Sequence, residues 1–89
     1  MVRVVLDSWM AEFGTPKEVA LEAPSIGALL DALEQKYPRL RFRLRDETGS
    51  PRRFIRFFVD GEVVEPTHVM RTPLRDGQTV DILHSIAGG

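Results

Sequence analysis

One amphipathic segment, Ser25 to Tyr37, sets the limits on what this chain can fold into. Ile26, Leu29, Leu30, Leu33 and Tyr37 recur at the i, i+3, i+4, i+7 spacing that lines one face of an α-helix. Ser25 has the side-chain oxygen that an N-cap needs, and Pro38 forbids continuation. Several other apolar segments alternate with period two. A lone helix with one apolar stripe must bury it against something, and the only large partner such a chain can build is a sheet. With 89 residues there is room for one domain and one modest core.

The strands follow from alternation. Val2, Val4 and Leu6 face one way, with Arg3, Val5 and Asp7 between them. Lys17 to Glu22 predicts a second strand with Val19 and Leu21 inward. Ser8 to Thr15 reads as a turn region whose Trp9, Met10 and Phe13 are too large to be wholly exposed, and Trp9 is expected to pack on the core or the loop. Arg39 to Arg45 alternates like a strand, yet Leu40 and Leu44 suit a short helical turn equally well. Asp46 to Pro51 has loop composition. Ile55, Phe57 and Val59 predict a third inward-facing set, closed by an Asp60-Gly61 turn with a short fourth strand over Glu62 to Val64. Arg75 to Gln78 is another turn, and Thr79 to Leu83 is the last strand, with Val80 and Ile82 inward. The expected fold class is therefore α+β, a mixed sheet of four to five strands packed on one main helix, in β-grasp-like order.

Composition removes several kinds of chemistry. The chain has no cysteine, hence no disulfide, zinc-thiolate site or thiol nucleophile of its own. His68 and His84 lie on different predicted elements and make a poor start for a metal site, so no metal is expected. His84 and Ser85, adjacent on a strand, point to opposite faces and cannot act as a catalytic pair. No P-loop, dinucleotide fingerprint or zinc-protease helix occurs. No apolar run approaches the ~20 residues of a membrane span, so a cytoplasmic protein with no membrane partner is expected. Seven of the twelve basic residues fall between Arg39 and Arg56, while the whole chain carries −1. That arginine-rich stretch reads first as a solvated face and second as a partner patch. It matches no nucleic-acid module, and no direct, specific nucleic-acid binding is expected.

The end of the chain carries the most distinctive chemistry. Gly88 and Gly89 lack Cβ atoms, so a tail ending in them can thread a slot too narrow for a side chain and present the Gly89 carboxylate as a reagent. Fully extended, Ser85 to Gly89 spans roughly 17 Å, enough to enter a buried site while the body stays outside. The expected organisation is a folded domain over residues 1–84 and a flexible tail over 85–89.

Several stretches together carry a family resemblance. They are Ser25-Ile26-Gly27-Ala28-Leu29-Leu30-Asp31-Ala32-Leu33 with Tyr37-Pro38, Phe58-Val59-Asp60-Gly61-Glu62, Leu74-Arg75-Asp76-Gly77-Gln78-Thr79-Val80, and the terminal Ala87-Gly88-Gly89. In this order they resemble the ubiquitin-like sulfur carriers of the MoaD/ThiS superfamily, most of all CysO-type and longer MoaD-related carriers. Where tails of that superfamily usually hold proline, this chain has His84-Ser85. The resemblance implies a carrier with no catalytic residue and no bound cofactor. Its Gly89 carboxylate would be adenylated by a ubiquitin-activating-like enzyme using ATP and converted by a sulfur donor into a thiocarboxylate. A biosynthetic enzyme of molybdopterin, cysteine, thiamine or tRNA thiolation would then accept the sulfur. It also implies partner contacts at Phe58, Leu83, Ile86 and Ala87. The opposing expectation is that the Ser8 to Thr15 loop folds over Phe58 and Leu83. The alternatives are a protein modifier joined through Gly89 to lysines, with Lys17 and Lys36 as acceptors on the chain itself, or a β-grasp interaction module whose glycines are incidental.

Overall fold

A computed structural model describes residues 1–85. Strands β1 (Val2–Leu6) and β2 (Glu18–Leu21) form an antiparallel pair, followed by helix α1 (Ile26–Lys36). Then come β3 (Ile55–Val59), β4 (Glu62–Val63) and β5 (Thr79–His84). Together they make one five-stranded sheet in the order β2-β1-β5-β3-β4. Only the β1–β5 pairing is parallel, which makes the sheet mixed. The architecture is the expected β-grasp, with one face of the sheet under α1 and the other open.

Alternation explains the layers. Val2, Val4, Leu6, Ile55, Phe57, Val80 and Ile82 are buried on the helix side, where Ile26, Leu29, Leu30 and Leu33 of α1 meet them. Each such side chain contributes roughly 1.5–3 kcal/mol by leaving water. The Ser25 side-chain oxygen accepts from the Ala28 N–H at 3.2 Å, capping the helix as its sequence predicts. Tyr37, expected on the buried stripe, instead stands just past the last turn. It is half-buried with φ −127°, its N–H still bonded to the Leu33 carbonyl at 2.7 Å, because Pro38 forces the residue before it out of helical geometry. Val19 and Leu21 are half-buried since β2 is an edge strand, and Val59 is so at the end of β3.

Asp60 and Gly61 join β3 to β4 with φ of 50° and 87°, the left-handed pair that a two-residue hairpin requires. The Asp60 carboxylate then accepts from the Thr79 N–H at 2.9 Å, tying the hairpin to β5.

The undecided Arg39 to Arg45 segment is a helical turn and not a strand. Pro38–Leu40 is a 3-10 helix, Leu40 and Leu44 are buried, and Phe42 has φ 66° and points out. The solvated-face reading of the arginines fails at Arg45. Its guanidinium forks onto Glu34 with two 3.0 Å bonds, reaches Asp31 as well, and keeps only 16% of its side chain exposed. This fork fastens the loop after α1 back onto the helix.

Gly27 permits the other close contact with α1. A Cβ there would lie 2.8 Å from the Met70 carbonyl oxygen, in the 3-10 helix Pro66–Arg71 that crosses the helix start. Gly27→Ala gains about 1 kcal/mol of helix propensity but loses roughly 1–3 kcal/mol to overpacking against backbone. Net destabilisation of about 1 kcal/mol is expected, read as a lower urea midpoint with unchanged slope.

Candidate functional site

Two surfaces meet where β5 ends. The first is the open face of the sheet. Arg56 pairs with Leu83 and Phe58 with Asp81 across β3 and β5, so Phe58 and Leu83 share that face as diagonal neighbours. Val63 lies opposite Phe58 on β4 and extends the apolar patch on that side, while on the other side Asp81 separates Phe58 from Val5 of β1. Leu83 is 39% exposed and Val63 62%, whereas Phe58 is half-buried among its neighbours. The Ser8 to Thr15 segment does not bury Leu83. Ile86, Ala87, Gly88 and Gly89 lie outside the described residues.

The second surface is an aromatic cluster around His84, which sequence reasoning missed. Trp9 sits in the 3-10 helix Ser8–Phe13 and stacks on the His84 ring, with centroids 4.6 Å apart and planes 15° from parallel. Phe54 meets both rings edge-on, at 5.9 Å from Trp9 and 5.3 Å from His84. Phe13 closes on Trp9 at 5.1 Å, and the Arg43 guanidinium lies 5.1 Å above Phe13. Trp9 thus packs on loop and core as expected, and its nearest ring partner is His84 at the end of β5.

Asp7 holds this cluster together. One carboxylate oxygen accepts from the His84 N–H at 2.8 Å, the other from the Trp9 N–H at 3.3 Å, capping the 3-10 helix. Its own N–H donates to the Ile82 carbonyl at 3.1 Å, and Ser85 N–H donates to the Phe54 carbonyl at 2.6 Å. The end of β5 is therefore bonded on both sides, to Asp7 and to Phe54. The His84 N–H, followed by that of Trp9, holds the Asp7 carboxyl below the usual carboxylate range. The signal for this site was present in Asp7-Ser8-Trp9, an Asx-type cap directly after a strand.

Residues 10–89 match the ThiS family model. The chain belongs to the ThiS family. Sulfur carrier protein CysO of Mycobacterium tuberculosis is 33% identical over 78 residues, covering 85% of this chain and 84% of the relative. The crystal structure of M. tuberculosis CysO superposes with a TM-score of 0.86 at 28% identity, covering 97% of this chain and 100% of that one. The crystal structure of the Amycolatopsis orientalis BexX/CysO complex contains a chain with TM-score 0.86 and 27% identity, each covered in full. In this ThiS-family protein no group of three His, Cys, Asp or Glu side chains is placed to hold a metal among the described residues, and no helix there is long and apolar enough to cross a membrane.

The lowered Asp7 pKa gives a pH test with a defined sign. A carboxylate depressed in the fold stabilises fully above its unfolded value near 3.9, and the contribution disappears as pH falls through the folded value. Asp7→Ala is expected to cost about 1 kcal/mol at neutral pH, the scale of a lost cap. Urea denaturation of both proteins is expected to show that gap closing below about pH 4.

Proposed function

We propose that this ThiS-family chain carries sulfur on the Gly89 carboxylate, acting as co-substrate of an activating enzyme and contributing no acid, base or metal of its own. The observation that carries the proposal is a family match running through to Gly89 on a fold whose last strand ends at His84. A carboxylate is a poor electrophile. Attack of a Gly89 oxygen on the α-phosphorus of ATP expels pyrophosphate and leaves an acyl adenylate, whose AMP is a good leaving group. A sulfide nucleophile from the donor then attacks the carbonyl carbon, AMP departs, and the thiocarboxylate remains. The glycines leave the backbone unobstructed for in-line approach.

The open sheet face supports a docking role in the same reading. Phe58, Leu83 and Val63 form an apolar patch on the face of the strand from which the tail departs, so a partner seated there is also positioned to take Gly89. Ile86 and Ala87 continue from it as the segment that enters the partner.

Intact mass spectrometry on protein isolated from its own cells tests the carrier reading. Replacement of one oxygen by sulfur adds about 16 Da by atomic mass, and fragmentation must place it on Gly89 to separate it from oxidised methionine. Conjugates of much larger mass would instead identify a modifier.

Deletion of Gly89, or Gly88→Val, is expected to leave the melting temperature unchanged and abolish ATP–pyrophosphate exchange with the activating enzyme. Full exchange by the deletion rules the reaction out. Leu83→Ser and Phe58→Ser are each expected to weaken calorimetric binding to that enzyme by about 2 kcal/mol, with the smaller loss of stability at the more exposed Leu83.

A further inference from the structure

The edge of β3 that faces away from β5 is only partly covered. Ser85 N–H bonds to the Phe54 carbonyl and Asp60 N–H to that of Thr79, which fixes the alternation along the strand. Even-numbered residues bond to β5, so Ile55, Phe57 and Val59 turn their backbone groups to the other side. There β4 pairs only with Phe58 and Val59, and Val64 adds one last bond to the Phe57 carbonyl at 2.8 Å before the chain leaves into Pro66–Arg71. The Ile55 N–H is taken by the Arg52 carbonyl at 3.0 Å. Among the described residues the Phe57 N–H makes no return bond to the Val64 carbonyl, and the Ile55 carbonyl meets the Arg56 guanidinium at 3.5 Å.

A groove of about 480 Å³ lies along this edge. Ile55, Phe57, Val64 and Val69 give it apolar walls, and Arg52, Arg53 and Arg56 line it with positive charge against the single carboxylate of Glu65. Unlike Arg45, these three arginines have no carboxylate within ion-pair distance among the described residues. Arg52 donates to the Phe42 carbonyl and Arg56 to that of Arg53, contacts that orient a guanidinium without neutralising it. Asp46 feels Arg52 only as a minor influence.

We propose that this groove binds an extended acidic segment of a protein partner, which adds to β3 as a further strand. The segment's backbone supplies what the edge lacks, a carbonyl for the Phe57 N–H and an N–H for the Ile55 carbonyl. Side chains of an added strand alternate between faces, so apolar residues turn toward Val64 and Val69 while carboxylates turn toward Arg56 and Arg53. An RNA phosphate chain would satisfy the arginines but has no backbone N–H for Ile55 and nothing to cover the apolar walls. The groove lies on the far side of β3 from β5 and shares only its Val63 border with the Phe58–Leu83 face, and the proposal does not depend on the sulfur-carrier reading.

The test is an NMR titration of the isotope-labelled full chain with the peptide Ac-Glu-Val-Glu-Val-Glu-Val-NH2. The amide signals of Ile55, Phe57 and Val64 are expected to move, and exchange of the Phe57 amide hydrogen to slow about tenfold at saturation as it gains an acceptor. Arg53→Glu, at an exposed position whose side chain makes no hydrogen bond among the described residues, is expected to weaken binding about tenfold, and added salt to weaken it further. Ac-Lys-Val-Lys-Val-Lys-Val-NH2 is expected not to bind. Equal binding of the lysine peptide, undiminished binding by Arg53→Glu, or shifts centred on Phe58 and Leu83 would each overturn the proposal. So would single-stranded RNA moving the groove amides while the acidic peptide leaves them in place.

Discussion

The parallel pairing of β1 with β5 is the contact on which the rest of the molecule depends. It sets Arg3 beside Thr79 and Leu6 beside Ile82, joining the two ends of the sequence. Such non-local closure is entropically unfavourable and is offset only when both strands bury their inner faces, as Val2, Val4, Leu6, Val80 and Ile82 do. With β1 on one side and β3 on the other, β5 has no free edge. The strand that leads to Gly89 is thus the most enclosed in the sheet. Helix α1 needs this sheet as much as the sheet needs the helix, since neither apolar surface has another place to go.

The arginine-rich stretch illustrates how one composition can serve unlike purposes. Arg45 is an internal cross-link that holds the irregular segment after α1 against Glu34 and Asp31. Arg39 donates to the Glu12 carbonyl, and Arg43 lies over Phe13, so both brace the 3-10 helix beneath the aromatic cluster. Arg52, Arg53 and Arg56 line the groove beside β3 with no carboxylate at ion-pair distance among the described residues. Spacing along the chain could not separate these roles. Each is decided by whether a carboxylate, a carbonyl or an aromatic ring lies within reach in the folded state.

The same distinction accounts for what the sequence revealed of the fold. Val2 to Leu6, Ile26 to Leu33 and Thr79 to Leu83 were legible because periodicity reports burial, and burial decides both element type and facing. Arg39 to Arg45 was not, since Leu40 and Leu44 satisfy a period of two and a period near four alike. Tyr37 was misplaced because the stripe continues by spacing where Pro38 has already ended the helix. Of the candidate site, Phe58 and Leu83 could be placed on one face by counting outward positions. The cluster of Trp9, Phe54 and His84 draws on three separated segments, and only the register of β5 against β1 and β3 brings them together.

The stack of Trp9 on His84 also makes the molecule its own reporter. Trp9 is the sole tryptophan, so the indole emission of the whole protein arises beside the end of β5. A neighbouring imidazole and two phenyl rings set the colour and yield of that emission. Any rearrangement of His84, the last residue of β5, therefore alters the surroundings of the single indole, and no attached dye is needed to follow it.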